Sequence, residues 1–255
     1  MGVPVIFGLA LLLTLWAARS AGFLRGRRPL SAEHRSVLAR YAISYQRRMP
    51  HERKRMERIV SLFVHDKEWV GAGMVVEEEM KVMIGACAAQ LLIGHPDLTL
   101  KHFERIVLYP NSYRSPYTGR MNEGEVRPKA GTIVISWEDF LHGYARNADA
   151  HNVGLHELAH AIWFENDNDN GEDGFLSPQF LLEWNQLAAA EIARIKAGAP
   201  SFFRDYAGVN EAEFFAVAVE YYFEVPLEFR DAQPELYALL CGLLKQDPAA
   251  IQVMN

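Results

Sequence analysis

The sequence predicts a helix-rich α+β protein with a small sheet, on three observations. Only two segments of the 255-residue chain have a clear strand pattern, RIVLYP at residues 105–110 and TIVISW at residues 132–137. Helical patterns fill most of the remaining chain, and the strands are too few to alternate with helices as they do in a parallel α/β fold. Half of the residues are hydrophobic, which suffices for one buried core and excludes general disorder.

Residues 1–28 form the first predicted unit, a membrane anchor with a basic flank. Residues 3–18 are apolar and uncharged, and four arginines follow by position 28. As a helix this run covers about 24 Å, slightly less than a bilayer core of about 30 Å. Because the positive charges follow the apolar run, the positive-inside rule predicts a bacterial inner-membrane protein whose remaining residues lie in the cytoplasm. A cleaved signal peptide and a helix buried in the soluble domain are the alternatives.

Residues 29–255 form the second predicted unit, a single domain without internal repeats. Its predicted elements up to residue 137 are, in order, a helical region at 29–60, a turn at 69–73, a buried helix at 75–94, the first strand, a polar loop at 111–131 and the second strand. The buried helix has acidic residues in its first turn and Gly94 after its last, as helix ends favour. The segment NVGLHELAHAIWFE and mostly helix to the C-terminus complete the domain.

Charge and cysteine content exclude two classes of protein. The chain has 26 basic and 32 acidic residues, for a formal net charge of −6. The first 28 residues hold four arginines and no acid, so the predicted domain is more acidic than the whole chain. A domain of this charge is not expected to bind nucleic acid directly. Two cysteines exclude a disulfide framework and a zinc site made of cysteines alone.

The motif His156-Glu157-Leu-Ala-His160 predicts a zinc site. Helix positions four apart lie one turn apart on the same face, so His156 and His160 can bind one metal ion through their imidazole nitrogens. Glu157 lies about 100° round the helix and can reach the open side of the metal, where it would polarise a water. The motif lies in an apolar helix, where unpartnered polar groups are costly. The strand TIVISW precedes it, as in zinc peptidases whose edge strand aligns the peptide substrate.

The residues alone leave the third protein ligand open. The sixth position after His160 is Asn166, which excludes the class of zinc peptidases that have a histidine there. The glutamates that remain downstream are Glu183, Glu191, Glu213 and Glu220. Spacing alone favours Glu183, because one group of zinc peptidases has its ligand glutamate about twenty residues after the second histidine.

The segment DYAGVNEAEFFA at residues 205–216, together with HELAH, closely resembles the catalytic domain of anthrax lethal factor. It also resembles the Mlc titration factor A family of zinc-dependent peptidases. The titration-factor resemblance covers roughly residues 60–248 and includes the buried helix, the strand RIVLYP and the segment FFEVPLEF. The sequence departs from the family in its N-terminal apolar segment and in the loop NDNDNGEDG at 166–174.

The resemblance implies a zincin-like metallopeptidase domain in which Glu213 is the third zinc ligand. It also implies that Tyr206 faces the metal and donates a hydrogen bond to the oxyanion, while Glu157 is the general base. Glu220 lies two turns after Glu213 on the same face, where it can accept a hydrogen bond from a ligand histidine. The implied partners are Zn²⁺ and a peptide or protein substrate.

The family is named for binding a sugar-responsive repressor, which gives an alternative of another class. In that alternative the protein sequesters a transcriptional regulator, and peptidase activity is secondary or absent. A third possibility is a scaffold in which the metal serves stability alone. The loop at 166–174 has aspartates and asparagines at calcium-like spacing, but its twelfth position is Ser177 rather than a bidentate glutamate, which disfavours an EF-hand.

Overall fold

A computed structural model describes residues 29–95, 98–145, 148–168 and 175–253. The helices are α1 (Ala32–Tyr41), α2 (Ile43–Gln46), α3 (Pro50–Asp66), α4 (Glu78–Leu92), α5 (Trp137–Ala145), α6 (Val153–Asn168), α7 (Pro178–Lys196), α8 (Glu211–Glu224), α9 (Pro226–Ala232), α10 (Pro234–Leu244) and α11 (Pro248–Val253). The strands are β1 (Glu68–Gly71), β2 (Arg105–Tyr109), β3 (Tyr113–Arg114), β4 (Met121–Asn122), β5 (Gly124–Arg127) and β6 (Thr132–Ser136). Two short 3₁₀ turns lie at Pro128–Ala130 and Asp205–Gly208. The helix-rich α+β class with a small sheet is confirmed.

The main sheet has four strands in the order β1-β2-β6-β5. The strands β1, β2 and β6 are parallel, and β5 runs antiparallel to β6 with Gly124 opposite Ile135 and Arg127 opposite Thr132. All five residues of β6 are buried, because this strand has a neighbour on each side. The interpretation of TIVISW as the edge strand is therefore wrong, and within the described residues β5 is the edge strand nearest the HELAH helix.

Two further elements differ from the sequence predictions. The segment Glu68–Gly71 forms β1 and pairs with β2, although the two glycines in residues 69–73 predicted a turn. The region 111–131, predicted as a loop, contains the hairpin of β3 and β4 and the strand β5. These strands have only two to four residues, which is too short for the alternation of apolar and polar residues to distinguish a half-buried strand from a loop. Their backbone pairing forms without a sequence signal.

The core centres on the helix α8, which packs along α6. Helix α8 is apolar around most of its circumference, so it is surrounded by protein rather than lying on the surface. From α7, the fully buried Trp184 contacts Phe214 and Phe215 with ring centroids 5.7 and 5.4 Å apart. Aromatic pairs of this kind add about 0.5–1.5 kcal/mol beyond their area burial. This packing sets α6 and α8 side by side, and these are the helices that carry the two sequence motifs.

The predicted membrane-anchored localisation requires correction. Within the described ranges, no helix combines the length and the apolar composition needed to cross a membrane. The longest helix there, α7, has 19 residues and carries Glu183, Glu191, Arg194 and Lys196. The segment 1–28 predicted as the anchor lies outside the described residues, as does most of the loop at 166–174.

Candidate metal centre

Two histidine side chains project from one face of α6. His156 and His160 lie one turn apart, with ring centroids 4.7 Å apart and ring planes nearly perpendicular. Their Nε2 atoms are 3.1 Å apart. The helix begins at a buried cap, where the Asn152 side-chain oxygen accepts a hydrogen bond from the backbone N–H of Leu155 at 3.0 Å. The cap fixes the first turn and thereby the direction of both imidazole rings.

The carboxylate of Glu213, from the first turn of α8, lies next to the two imidazole rings. These three side chains, His156, His160 and Glu213, are called the cluster below. The Asn210 side chain caps this helix and accepts a hydrogen bond from the Glu213 backbone N–H at 2.9 Å. Glu213 Oε2 lies 3.2 Å from His156 Nε2 and 3.1 Å from His160 Nε2. Among the described residues, this trio is the group whose ligand atoms converge as a metal site requires.

The geometry of the cluster fits a small divalent cation. Four ligands at about 2.1 Å in a tetrahedron lie about 3.4 Å from one another. The three observed separations, 3.1, 3.1 and 3.2 Å, are slightly below this value. Two imidazole nitrogens and one carboxylate oxygen are also the donor set of catalytic zinc sites. The residues present therefore fit a metal ion.

The buried carboxylate of Glu220 contacts His156 at the ring nitrogen that faces away from the cluster. It is fully buried and accepts a hydrogen bond from His156 Nδ1–H at 2.7 Å. It also accepts from the Asn152 backbone N–H at 2.6 Å and from the Arg204 guanidinium. Because the Nδ1–H of His156 is donated to Glu220, Nε2 is the ring nitrogen that faces the cluster, and it can bind a metal ion once its own proton is lost. Glu220 thereby selects the tautomer that binds metal.

The charges around the histidines shift their pKa values in opposite directions. Burial alone would lower the pKa of His156, but hydrogen bonds to Glu213 and Glu220 outweigh it and raise the pKa to about 10. Burial is decisive at His160, where it lowers the pKa. Burial would raise the pKa of Glu213, but hydrogen bonds from both histidines hold that pKa well below its usual range. Glu213 is therefore ionised and available as a ligand.

Glu157 lies beside the cluster in an apolar setting. Its side chain is only 5% exposed, and its Oε2 atom has no hydrogen-bond partner within the part of the chain that the structure describes. Burial raises the pKa of Glu157 to about 8; the charge of His156 opposes the shift and that of Glu213 adds to it. A carboxyl group whose pKa lies near neutrality can both accept and release a proton.

Tyr206 stands at the mouth of the cleft, on the 3₁₀ turn Asp205–Gly208. Its ring centroid lies 6.0 Å from that of His156, and about half of the residue is exposed. Burial and the neighbouring Glu213 carboxylate raise the pKa of the phenol, so Tyr206 keeps its proton at neutral pH. The structure thus brings together all five predicted site residues, which are His156, Glu157, His160, Tyr206 and Glu213.

The cluster opens into a cleft of about 660 Å³. Strand β5, the turn with Tyr206 and the start of α8 all contribute to its lining. Phe164 and Met121 add apolar surface to this cleft. Its size is in the range of small-molecule and peptide sites.

Comparison with known proteins gives the family. Residues 15–245 match the family described as glucose-regulated metallo-peptidase M90. The chain belongs to this family. Because the family is one of metallopeptidases, the match implies a bound metal ion, and the His156, His160 and Glu213 cluster is the group in the described chain that can hold it. The relation to anthrax lethal factor remains a resemblance.

Individual relatives of this M90 member agree with the family match. A Synechocystis protein described as uncharacterized is 25% identical over 230 residues, which cover 84% of each chain. Proteins described as Mlc titration factor A are 28% identical over 160 residues in Salmonella agona and 30% identical over 159 residues in Escherichia coli. These matches cover 60% of the present chain, which spans about half of each titration factor, 54% and 53%.

The alternative ligands considered for this M90 member lie elsewhere. Glu183 and Glu191 are on α7, where Glu183 accepts a hydrogen bond from Gln179 and Glu191 accepts one from Ser201. Neither glutamate lines the cleft. Neither glutamate therefore belongs to the group of side chains that the structure brings together with His156 and His160.

Sequence reasoning missed several residues that shape this site. Arg204 donates hydrogen bonds to Glu220 and to the backbone carbonyl of Ala150, and no pattern distinguished it from an ordinary loop arginine. His151 pairs with Glu123 at 3.1 Å at the mouth of the cleft. Asn152 was detectable in principle, because an asparagine directly before an apolar helix is a common N-cap.

Proposed function

We propose that this chain is a zinc-dependent peptidase with a zincin-like site, in which His156, His160 and Glu213 hold Zn²⁺. The observation that carries the proposal is the convergence of three ligand atoms, among the described residues, in an open cleft that Glu157 also lines. When bound, zinc supplies Lewis acidity that makes water nucleophilic and stabilises negative charge on a substrate carbonyl.

Glu157 is the general base of the proposed reaction. Its carboxylate, which lines the cleft, accepts a proton from the attacking water and then delivers that proton to the leaving amine. Burial keeps the affinity of this carboxylate for protons high enough for both steps. The peptide C–N bond breaks, one product keeps the new carboxylate and the other leaves as the amine.

Tyr206 is the proposed oxyanion donor. Its phenol stays protonated at neutral pH, and its position beside His156 at the cleft mouth brings the O–H within reach of a substrate carbonyl. A donor aimed at developing negative charge contributes to catalysis because the charge is larger in the transition state than in the substrate.

The proposed substrate is an extended peptide or a protein segment. Strand β5 borders the cleft and, among the described residues, has a paired strand on only one side. Its free backbone N–H and C=O groups can pair with an extended chain, which would then cross the cleft beside Glu157. This alignment replaces the one predicted for TIVISW.

The substitution Glu157→Gln tests the mechanism. The variant should retain about one zinc per chain, measured by elemental mass spectrometry, because Glu157 is not a ligand. Its peptidase activity on a peptide library should fall by about 100-fold or more, since the proton acceptor is lost. Ala212→Ser, at a partly exposed cleft position without a proposed role, is the matched control. A variant that cleaves at the wild-type rate would contradict the mechanism.

A second candidate function is the binding of a transcriptional repressor. The observation in its favour is the identity of 28–30% to proteins named Mlc titration factor A. A purified sugar-responsive repressor of this kind should bind this chain in calorimetry with the wild type and with Glu157→Gln alike. Binding lost on chelation or by Glu157→Gln would instead indicate an enzyme–substrate contact.

A further inference from the structure

Gly124, the first residue of β5, lies directly against the side chain of Glu157. A Cβ atom added at this glycine would meet Cγ of Glu157 and would lie 2.5 Å from Oε1 and 2.6 Å from Cδ. Non-bonded carbon atoms prefer about 3.5–4.0 Å, so the overlap is about 1 Å. The Glu157 carboxylate occupies the space that a side chain would take at position 124.

The backbone does not require glycine at this position. Gly124 is not among the residues with positive φ, and its strand conformation is open to any residue. It pairs with Ile135 in the ladder between β5 and β6, and the preceding Glu123 carbonyl accepts the Ser136 N–H at 2.7 Å. The contact with Glu157 is therefore the steric constraint that separates glycine from alanine here.

Packing is also what places the Glu157 carboxylate. Its Oε2 has no hydrogen-bond partner among the described residues, so no directional bond anchors that oxygen. We infer that Gly124 is a positioning residue of the peptidase site. Because Gly124 has no side chain, it leaves room for the side chain of Glu157 between β5 and the cluster of His156, His160 and Glu213. This inference rests on the proposed role of Glu157 as general base.

A methyl group at position 124 should move Glu157 rather than the strand. The ladder to β6 holds the backbone of β5, whereas the side chain of Glu157 can rotate about its χ angles. A displacement of about 1 Å at a catalytic group costs on the order of 100-fold in rate. The three atoms nearest the new methyl group all belong to Glu157 and none to a proposed metal ligand, so metal binding should persist.

The test is Gly124→Ala with Gly242→Ala as the matched control. Gly242 lies on α10, and a Cβ atom there meets nothing within 4 Å. For Gly124→Ala, kcat should fall about 100-fold while KM and zinc content change less than about twofold. A crystal structure of the zinc-loaded variant should show the Glu157 carboxylate displaced by about 1 Å, with position 124 still opposite Ile135.

Two results would overturn the inference. One is a kcat within about twofold of the wild type, and the other is an unmoved Glu157 with β5 shifted away from it. The coordinates decide the positioning role even if the enzyme hydrolyses no peptide. In that case the absence of hydrolysis by the wild-type protein marks the failure of the proposed function, and the displaced carboxylate still supports the role of Gly124.

Discussion

The substitution Glu220→Gln tests whether the buried carboxylate behind His156 tunes the metal site. One oxygen of Glu220 accepts hydrogen bonds from His156 and Arg204, and the other accepts the backbone N–H of Asn152. Glutamine keeps the volume but removes the charge and replaces one acceptor with an NH₂ group. In the variant, the new NH₂ group must therefore face N–H donors that the carboxylate oxygen accepted before, either those of His156 and Arg204 or that of the Asn152 backbone.

Two magnitudes follow from this geometry. Losing the charged acceptor behind a ligand histidine lowers metal affinity about 10–100-fold, or about 1.4–2.7 kcal/mol. Because Glu220 is fully buried, solvent does not screen its charge, and the magnitude needs no reduction for exposure. Leaving the Asn152 N–H or the guanidinium unpaired also lowers the free energy of unfolding by about 1–3 kcal/mol.

The assay is a zinc competition titration against a fluorescent chelator, together with urea denaturation of the metal-free protein. The control is Glu224→Gln, one turn later on α8. Glu224 accepts a hydrogen bond from the Asn152 side chain at 3.0 Å but does not touch His156. Its metal affinity should change less than about twofold. Equal zinc affinity in wild type and Glu220→Gln would refute the tautomer argument.

Three further outcomes are expected. Asn152→Ala removes the cap of α6 and a partner of Glu224, so urea denaturation should show a loss of about 1–3 kcal/mol, and an unchanged midpoint would contradict the capping role. Zinc at about 100 times its Kd should raise the free energy of unfolding by about 2.7 kcal/mol, and His160→Ala should abolish this gain in thermal scans. Burial raises the pKa of Tyr45 to about 12 and raises the pKa values of Tyr222 and Tyr237. Above pH 10 the folded state then binds more protons than the unfolded state, so stability should fall as pH rises, and tyrosinate absorbance should develop together with unfolding. Free titration of all tyrosines near pH 10 in the folded protein would disprove this burial effect.

The sequence predicts the metal-binding face better than the walls of the cleft. His156 and His160 follow from helical periodicity alone, because positions four apart share a face wherever the helix forms. Glu213 required a resemblance, since four downstream glutamates were compatible with the residues and spacing alone favoured Glu183. Its place in the cluster depends on the packing of α8 against α6, which no local pattern encodes.

The edge strand could not be predicted because its signal is weak. The four residues Gly124–Arg127 contain one large apolar side chain, that of Val126, and begin with glycine, which disfavours a strand. The strongly apolar TIVISW instead marks a central strand, buried through its pairing on both sides. The contacts of Gly124 with Glu157 and of Arg204 with Glu220 likewise join residues that are distant in sequence. The residue types alone therefore could not identify Gly124 or Arg204 as part of the site.

The ligands of the proposed site lie far apart along the chain, with Glu213 53 positions after His160. The histidine pair can form in α6 as soon as that helix is present, whereas the carboxylate arrives only after the chain has closed a long loop. Metal affinity during refolding should therefore rise in two stages, weak with the helix and strong with docking of α8. A bound ion thus makes the time of helix–helix docking visible in a stopped-flow experiment.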